Sequence, residues 1–488
     1  MNAPDPTLAG ALRRHAARLT GLLVVLALLA LPLVLAATGY HPTDDALRHA
    51  AQAVDGRPWT EILVLRPGIL VDQHQAWHAL LRACHAGFGL DAHGLVVLSV
   101  VGLAALVLLA PLPWMRVPEA WVCAWVLLWI AGGGQMRLML GRPLLVAMAG
   151  LLVLLSLWTR ETRPGPWARW LGTPLVFGVA ALLHGSWYLL ALIPLAFLAA
   201  NRRWEAGRLA LAWMAGCAAA ALATGHPVTF LAGELIHLGH ALGPLGQGGL
   251  VAAELGPSLG SGLVGCLLLV TLLWAVERGE EGARLGDPIF LLALGGWLLG
   301  LKVSRFWLDW GLPATALWLA RQLEPALAAL GERAPGRRLV LALGAGLAAI
   351  LLVTSADPRR WAERTHANSI AADRPELQGW LPGDGGVIYA ANMAVFYDTY
   401  YRNPHARWRY VLGFEPTLMP DADLAVYRRA VAAYDDPTVW RPWIARMGPA
   451  DRLAYVCAYN PRFLFPDLQW APVGRAVWLG RKPVPVAP

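Results

Sequence analysis

The sequence predicts a polytopic α-helical membrane protein that carries a C-terminal extracytoplasmic α/β domain. Of its 488 residues, 57% are hydrophobic and only 15% are charged, whereas an ordinary soluble protein carries about 25% charged residues. The mean hydropathy is +0.48. Long apolar runs recur through residues 1–355, whereas residues 356–488 alternate between short apolar segments and turn-forming residues.

About eleven apolar runs are candidates for membrane-spanning helices, and several are shorter than the roughly 20 residues that a helix perpendicular to the bilayer needs. We expect the short ones to tilt or to extend into the neighbouring loops. The runs cover residues 18–39, 93–112, 118–134, 143–158, 170–185, 186–200, 208–224, 261–276, 288–302, 310–323 and 338–355.

The loop charges predict the orientation of these helices, because cytoplasmic loops carry an excess of arginine and lysine. If the N-terminus is cytoplasmic, every loop that must share that side carries arginines, whereas the loop 225–260 on the other side has no arginine or lysine. The loop 40–92 and the tail from about residue 356 are then extracytoplasmic. The cytoplasmic arginines are Arg13, Arg14, Arg18, Arg160, Arg163, Arg169, Arg202, Arg203, Arg208, Arg278, Arg284, Arg333, Arg337 and Arg338.

The tail, residues 356–488, predicts a small α/β domain separate from the helical module of residues 1–355, to which we assign the loop 40–92. "GVIYAANMAVFY" is predicted to be a buried strand, and "LAYVCAY" and "GRAVWLG" are predicted to be shorter ones. "DADLAVYRRAVAAY" has helical periodicity and is predicted to begin with an aspartate cap.

Charge and cysteine usage exclude some classes of protein. The net charge of +8 is spread over short loops, so we predict no nucleic-acid partner. None of the five cysteines has a zinc-site spacing. Cys84 and Cys457 fall in polar regions, where they could pair.

Ionisable residues collect at the side predicted to be extracytoplasmic, and charges near a membrane are costly enough to indicate function. Arginine and lysine can hold the charge of a phosphate leaving group, and a carboxylate can act as general base towards an acceptor hydroxyl. From the first loop we single out Asp44, Asp45, Arg48, His49, Asp72, His74 and His78, and from the later loops Arg137, Arg142, His184, Lys302, Arg305 and Asp309.

Each of these residues also has a structural explanation. Asp44 and Asp45 could cap a helix, because acids are favoured in a first helical turn. His74 and His78 have an i, i+4 spacing that can bind a metal. Because a clear third ligand is missing from the sequence, we favour a hydrogen-bonded interfacial helix that supports the loop or the acceptor. Arg142 and Arg305 could extend towards lipid headgroups.

The segment "TDDALRH", an aspartate pair just after the first span, resembles the first extracytoplasmic loop of the GT-C superfamily of membrane glycosyltransferases. "HGSWYLLALIPL", "KVSRFWLDWGLP" and the tail segment "NPHARWRYVLGFEPTLM" are similar to segments of bacterial members of that superfamily. The resemblance covers most of the chain as an arrangement, although its motifs are short.

The resemblance implies an enzyme of the bacterial inner membrane with a periplasmic tail. It implies a polyprenyl-phosphate sugar as donor, inversion at the anomeric carbon, and Asp44 or Asp45 as general base. Arg137, Arg142, His184, Lys302 and Arg305 would bind the lipid phosphate, and a divalent metal is not expected. The acceptor would be a glycan, a lipid or a protein, but the tail lacks the WWD-like signature of enzymes that glycosylate asparagine.

Two other functions stay open at this point. The chain could be a transporter or flippase for a lipid-linked or anionic substrate, a class in which internal repeats are common. The sequence has no evident repeat, which disfavours that function. The chain could also be a non-catalytic scaffold of envelope assembly whose tail binds a partner.

Overall fold

A computed structural model of the chain describes residues 8–42, 44–68, 72–160, 166–242, 256–258, 260–356, 369–473 and 476–483. The chain forms two compact units. The membrane unit comprises Met1–Gly39, Ser99–Leu231 and Glu254–Pro358. The loop–tail unit comprises Tyr40–Leu98, Ala232–Ala253 and Arg359–Pro488. Of the orientation residues, Arg163 lies outside the described residues, as does the segment 243–255 of the 225–260 loop.

Apolar helices build the membrane unit, and two of them continue into the loop–tail unit. Four stretches are long and apolar enough to cross a membrane, namely Ala17–Ala37, Ala92–Trp114, Arg203–Ala223 and Gly336–Ser355. The other predicted spans fall on helices that are shorter or less apolar, so the count of about eleven is not confirmed. The helices are α1 Leu8–Ala37, α5 Ala92–Leu109, α6 Glu119–Gly132, α7 Leu144–Thr159, α8 Pro166–His184, α9 Leu192–Ala199, α10 Arg203–Ala223, α11 Pro227–Leu242, α12 Gly262–Glu277, α13 Glu281–Leu285, α14 Pro288–Gly300, α15 Ser304–Phe306, α16 Leu312–Arg333 and α17 Pro335–Ser355.

Glycines allow two close helix contacts in this unit. A Cβ atom on Gly216 of α10 would lie 2.3 Å from the backbone oxygen of Pro174 on α8. A Cβ atom on Gly296 of α14 would lie 2.5 Å from the Cα of Gly311, at the end of a π-helical turn over Trp307–Gly311. Small residues let membrane helices approach at backbone distance, so α8 packs tightly on α10, and α14 on the π turn.

The loop–tail unit combines six helices with a five-stranded mixed sheet. β1 pairs in parallel with β2 and β3, and β5 pairs antiparallel with β3 and β4, which gives the order β2-β1-β3-β5-β4. The first-loop helices are α2 Asp45–Asp55, α3 Trp59–Ile62 and α4 Gln75–Phe88, and the tail helices are α18 Met393–Arg402, α19 Asp421–Ala432 and α20 Arg441–Arg446. The strands are β1 Val387–Tyr389, β2 Arg409–Tyr410, β3 Arg452–Val456, β4 Gln469–Pro472 and β5 Val477–Arg481.

The first loop is built into the tail. Leu63 forms a parallel bridge to Tyr410 of β2, and the backbone N–H of Val64 donates to the Tyr410 carbonyl at 2.9 Å. Arg66 donates its backbone N–H to the carbonyl of Leu418 at 2.8 Å. The sequence analysis assigned the loop to the helical module, whereas in the structure it shares a compact unit with the tail.

Two details of the predicted tail differ in the structure, and the pairing of Cys84 with Cys457 was left open by the sequence. "GVIYAANMAVFY" is a strand only over β1, because the Asn392 side chain caps α18 by accepting from the Ala394 N–H at 2.9 Å. Pro420, and not an aspartate, occupies the cap position of α19, which places Asp421 in its first turn. Cys84 and Cys457 are both free thiols. The helix over "DADLAVYRRAVA" and the strands within "LAYVCAY" and "GRAVWLG" are confirmed.

Candidate functional site

The aspartate pair stands at the start of α2, and its two members have different environments. Asp44 occupies the cap position, but its side chain makes no capping hydrogen bond to the helix. Asp45 is the first helical residue and has a side chain that is 23% exposed. Its Oδ1 accepts from Arg48 Nε at 2.7 Å and from the Tyr397 hydroxyl of α18 at 3.2 Å. The carboxylate of Asp45 is therefore held from both the loop and the tail.

Arg48 is buried beside aromatic rings. Its guanidinium carbon lies 4.0 Å from the ring centre of Phe414 and 6.0 Å from that of Trp59. A guanidinium over a ring face gains from the ring quadrupole, and the ion pair with Asp45 offsets its desolvation. The Arg48–Asp45 pair thus fixes α2 against tail residue Phe414.

A hydrogen-bonded chain joins Asp72, His78 and His49. Asp72 Oδ2 contacts His78 Nδ1, and His78 Nε2 lies 2.7 Å from His49 Nδ1. An ionised Asp72 only accepts, so it holds the His78 ring through the proton on Nδ1. The opposite ring nitrogen of His78 faces His49, so the carboxylate orients both rings in the way a carboxylate orients a catalytic histidine.

Burial and neighbouring groups shift the pKa values of two members of this region, Asp72 and His74. Burial alone would raise the pKa of Asp72, but the nearby His78 and His74 outweigh it and lower that pKa to about 2. Burial, followed by the charge of Arg48, lowers the pKa of His74 to about 3. Asp72 is thus ionised and His74 neutral near neutral pH.

The predicted pairing of His74 and His78 takes the form of packing around His49. The His49 ring centre lies 4.9 Å from each of theirs. Within the described part of the chain, no three or more histidine, cysteine or acidic side chains are arranged to hold a metal ion. His49 was among the first-loop residues singled out in the sequence, but its contact with His78, 29 residues away, was not predicted because it has no local signal.

The cations predicted to bind phosphate lie in the membrane unit, where a buried acid gathers two of them. Arg137 makes a bidentate pair with Asp309, at 2.6 and 3.0 Å, and these residues are 6% and 1% exposed. Arg305 Nε lies 3.6 Å from the same carboxylate. Lys302 is exposed, Arg142 is half-buried, and His184 is buried.

Asp309 is the residue whose role the sequence analysis missed. An acid in an apolar stretch indicates a function or a partner, but the sequence does not say that the partner is Arg137, 172 positions away. Asp309 sits in the π-helical turn, and such turns concentrate at functional sites.

Two further buried ion pairs tie helices of the membrane unit together. Arg338 of α17 pairs with Glu119 of α6, and Arg160 pairs with Glu324 of α16. Glu324 also accepts the backbone N–H of Arg116 at 2.9 Å. These pairs satisfy helix ends and charges inside the unit, so we assign them a structural role.

A polar cavity of about 880 Å³ opens within the loop–tail unit. Arg57 braces it by donating to Asp55 at 2.7 Å and to the Ala406 carbonyl at 2.7 Å. The described residues of the cavity wall are mostly charged, with both signs present, which suits a ligand rich in hydroxyl or charged groups. It is lined by Asp55, Arg57, Thr60, Glu61, Asp384, Gly385, His405, Arg407 and Arg409.

Comparison with known proteins gives no relative from which a role could be carried over. No protein-family model matches the chain, and no curated protein matches it. The function is therefore argued from the residues described above.

Proposed function

We propose that this membrane protein is a glycosyltransferase of the GT-C type, acting at the periplasmic face of a bacterial inner membrane. It would move a sugar from a polyprenyl-phosphate donor to an acceptor hydroxyl. The hydroxyl oxygen attacks the anomeric carbon, its proton passes to a carboxylate, and the bond to the lipid phosphate breaks with that phosphate as leaving group.

The observation that carries the proposal is the different environment of the two first-loop acids. Asp45 has an oxygen committed to Arg48 and Tyr397, so we assign it to positioning α2. Asp44 is the other carboxylate at the start of α2, and the resemblance to the GT-C first loop implies that one of the two acids is the base, so we assign Asp44 as the general base. The chain of Asp72, His78 and His49 supports the same helix from α4 and holds it at a fixed angle.

The donor phosphate needs cations, and a guanidinium offers it a two-pronged hydrogen bond. We assign this role to Lys302 and Arg305, which are exposed and half-buried, together with Arg142 and His184. Nε and Nη2 of Arg137 both donate to the carboxylate of Asp309. We therefore assign Arg137 to fixing Asp309 and, through it, Arg305.

The polar cavity of the loop–tail unit is our candidate for the acceptor site. Carboxylates and guanidiniums along its wall can accept from and donate to several hydroxyls at once. A glycan fits that lining better than a lipid chain, because the described residues that line it are mostly charged.

Transfer of radiolabel from a polyprenyl-phosphate sugar in membrane vesicles tests the proposal. We expect Asp44→Asn to lower the transfer rate by at least roughly 100-fold, the usual contribution of a general base. Asp45→Asn should have a smaller effect, and Asp467→Asn, an exposed acid of the tail, should have none. Full activity in both Asp44→Asn and Asp45→Asn would contradict the proposal.

Transport of an anionic lipid-linked substrate is the second candidate, and the buried Asp309 in an irregular helical turn favours it. Reconstituted vesicles distinguish the two functions. Movement of the labelled lipid across the bilayer with its sugar bond intact supports transport, whereas breakage of that bond supports transfer.

A further inference from the structure

A second cationic cluster lies in the loop–tail unit, away from the aspartate pair's hydrogen bonds. His41 is 6% exposed and stacks on His93, with ring centres 6.1 Å apart and planes 12° from parallel. The ring of Tyr401 lies 5.0 Å from that of His41. Arg402, the next residue and the last of α18, brings a guanidinium whose charge acts on His41.

Polar atoms of this cluster are buried without a hydrogen-bond partner in the described structure. They are His41 Nε2 and Arg402 Nε. Arg402 is half-buried, so part of its charge is removed from water, and a bound anion would offset that desolvation. Burial lowers the pKa of Arg402, as expected for a cation removed from water without a carboxylate beside it.

Asp398 and Asp91, the acids nearest in sequence to Arg402 and His93, do not supply that anion. Asp398 lies one turn before Arg402 on α18, but burial raises its pKa to about 7, opposite to the effect of an adjacent guanidinium. Asp91 accepts the backbone N–H of Gly94 at 2.7 Å, and its charge acts on Tyr401. Neither acid forms an ion pair with Arg402 among the described residues.

The position of the cluster along the chain indicates the kind of anion. His41 follows the end of α1 by four residues, and His93 is the second residue of α5. Both helices contain stretches long and apolar enough to cross a membrane. The ends of such helices lie at the depth of lipid headgroups, where phosphate is the prevailing anion.

We propose that His41, His93 and Arg402 bind the phosphate group of an anionic lipid. The Arg402 guanidinium supplies the charge and two directed hydrogen bonds, and the imidazoles add a donor each. Burial and the charges of His93 and Arg402 lower the pKa of His41 to about 4, and a bound phosphate would counteract the two charges. None of these three residues takes part in the hydrogen bonds of Asp45, the acid that positions α2.

Native mass spectrometry of the full chain released from phosphatidylcholine nanodiscs tests this site. The nanodiscs would contain either phosphatidylglycerol or a short-chain polyprenyl phosphate, and inorganic phosphate is added in a third arm. We expect one lipid to be retained by the wild type, and roughly tenfold less by His41→Gln and Arg402→Gln, the usual loss for one charge-assisted hydrogen bond. Arg428→Gln, an exposed arginine of α19, serves as the matched control and should retain the lipid.

The three arms identify the source of the phosphate. Retention of phosphatidylglycerol indicates a structural lipid, and selective retention of polyprenyl phosphate indicates a donor or product site. Binding of inorganic phosphate alone, or lipid retention unaffected by the substitutions, would overturn the proposal. His93→Gln changes an exposed side chain, so it provides the same test if a buried variant fails to fold. Asp44→Asn should retain the lipid, which separates this result from failure of the proposed transferase activity.

Discussion

The two units use charge in different ways. In the membrane unit, arginine pairs with carboxylates across long sequence separations, and these pairs are largely buried. In the loop–tail unit, the central polar contacts run through histidines. Arginine stays charged at every accessible pH, whereas histidine can lose or gain a proton near neutrality. The membrane unit therefore has fixed ionic ties, and the loop–tail unit has ties that respond to pH.

The largest expected effect tests the buried arginine–carboxylate pairs of the membrane unit. Asp309→Asn leaves the buried Arg137 without its charge partner, which should cost about 3–5 kcal/mol of folding free energy. We expect a large drop in the thermal unfolding midpoint of the purified chain. Glu332→Gln, an exposed acid of the same helix region, is the control and should leave it unchanged. The double variant Asp309→Asn with Arg137→Gln should recover part of the loss, and no recovery would refute the pairing argument.

A second substitution tests how tightly the membrane unit is packed. Gly216→Ala places a methyl group against the backbone of α8 and should cost about 1–3 kcal/mol through overpacking. Gly207→Ala, on the same helix, meets no atom within 4 Å and should be neutral or slightly stabilising. Thermal unfolding of both variants makes the comparison. Equal midpoints would show that α8 and α10 are not in backbone contact.

A third prediction concerns the effect of pH on His74 in the loop–tail unit. The pKa of His74 is lowered to about 3, below its ordinary value near 6.5, so His74 stabilises the fold above pH 6.5 and this contribution is lost as pH falls towards 3. Amide exchange in α2 and α4, corrected for its intrinsic pH dependence, should be roughly tenfold faster at about pH 5 than at about pH 7. His74→Gln should weaken that dependence, while exchange in α16 of the membrane unit stays constant. An unchanged pH dependence in the variant would argue against His74 as the sensor.

The smallest effect comes from a surface pair. Arg202 and Glu205 lie at 2.6 Å on the exposed start of α10, both 30% exposed. Such i, i+3 pairs contribute about 0.3–0.5 kcal/mol, so Glu205→Gln should hardly change the unfolding midpoint. If Glu205→Gln lowered the unfolding midpoint as much as Asp309→Asn does, burial would not explain the difference between exposed and buried ion pairs.

Local patterns predicted local structure well. The apolar runs fall on helices, and the α19 helix and the β3 and β5 strands lie where periodicity placed them. The pattern "NMAVFY" misled, because alternating and helical spacing overlap in so short a segment and the Asn392 cap decided for a helix.

The sequence predicted individual residues of the site but not the contacts between them. Asp45, His74 and His78 were selected from chemistry, but their partners Tyr397 and His49 come from distant parts of the chain. The pairing of Arg137 with Asp309 has the same character. A single sequence carries residue types and local periods, whereas these partners are set by tertiary packing.

The bridge between Leu63 and Tyr410 has a consequence for the time course of synthesis. Hydrogen bonds of this junction join residues up to 353 positions apart. At a synthesis rate of about 5–20 residues per second, roughly 20–70 s pass between the synthesis of Leu63 and that of Tyr410. During that interval the exposed edge around Leu63 is open to wrong partners, so a transient holding factor or a slow insertion step at this stage would raise the yield of correctly assembled protein.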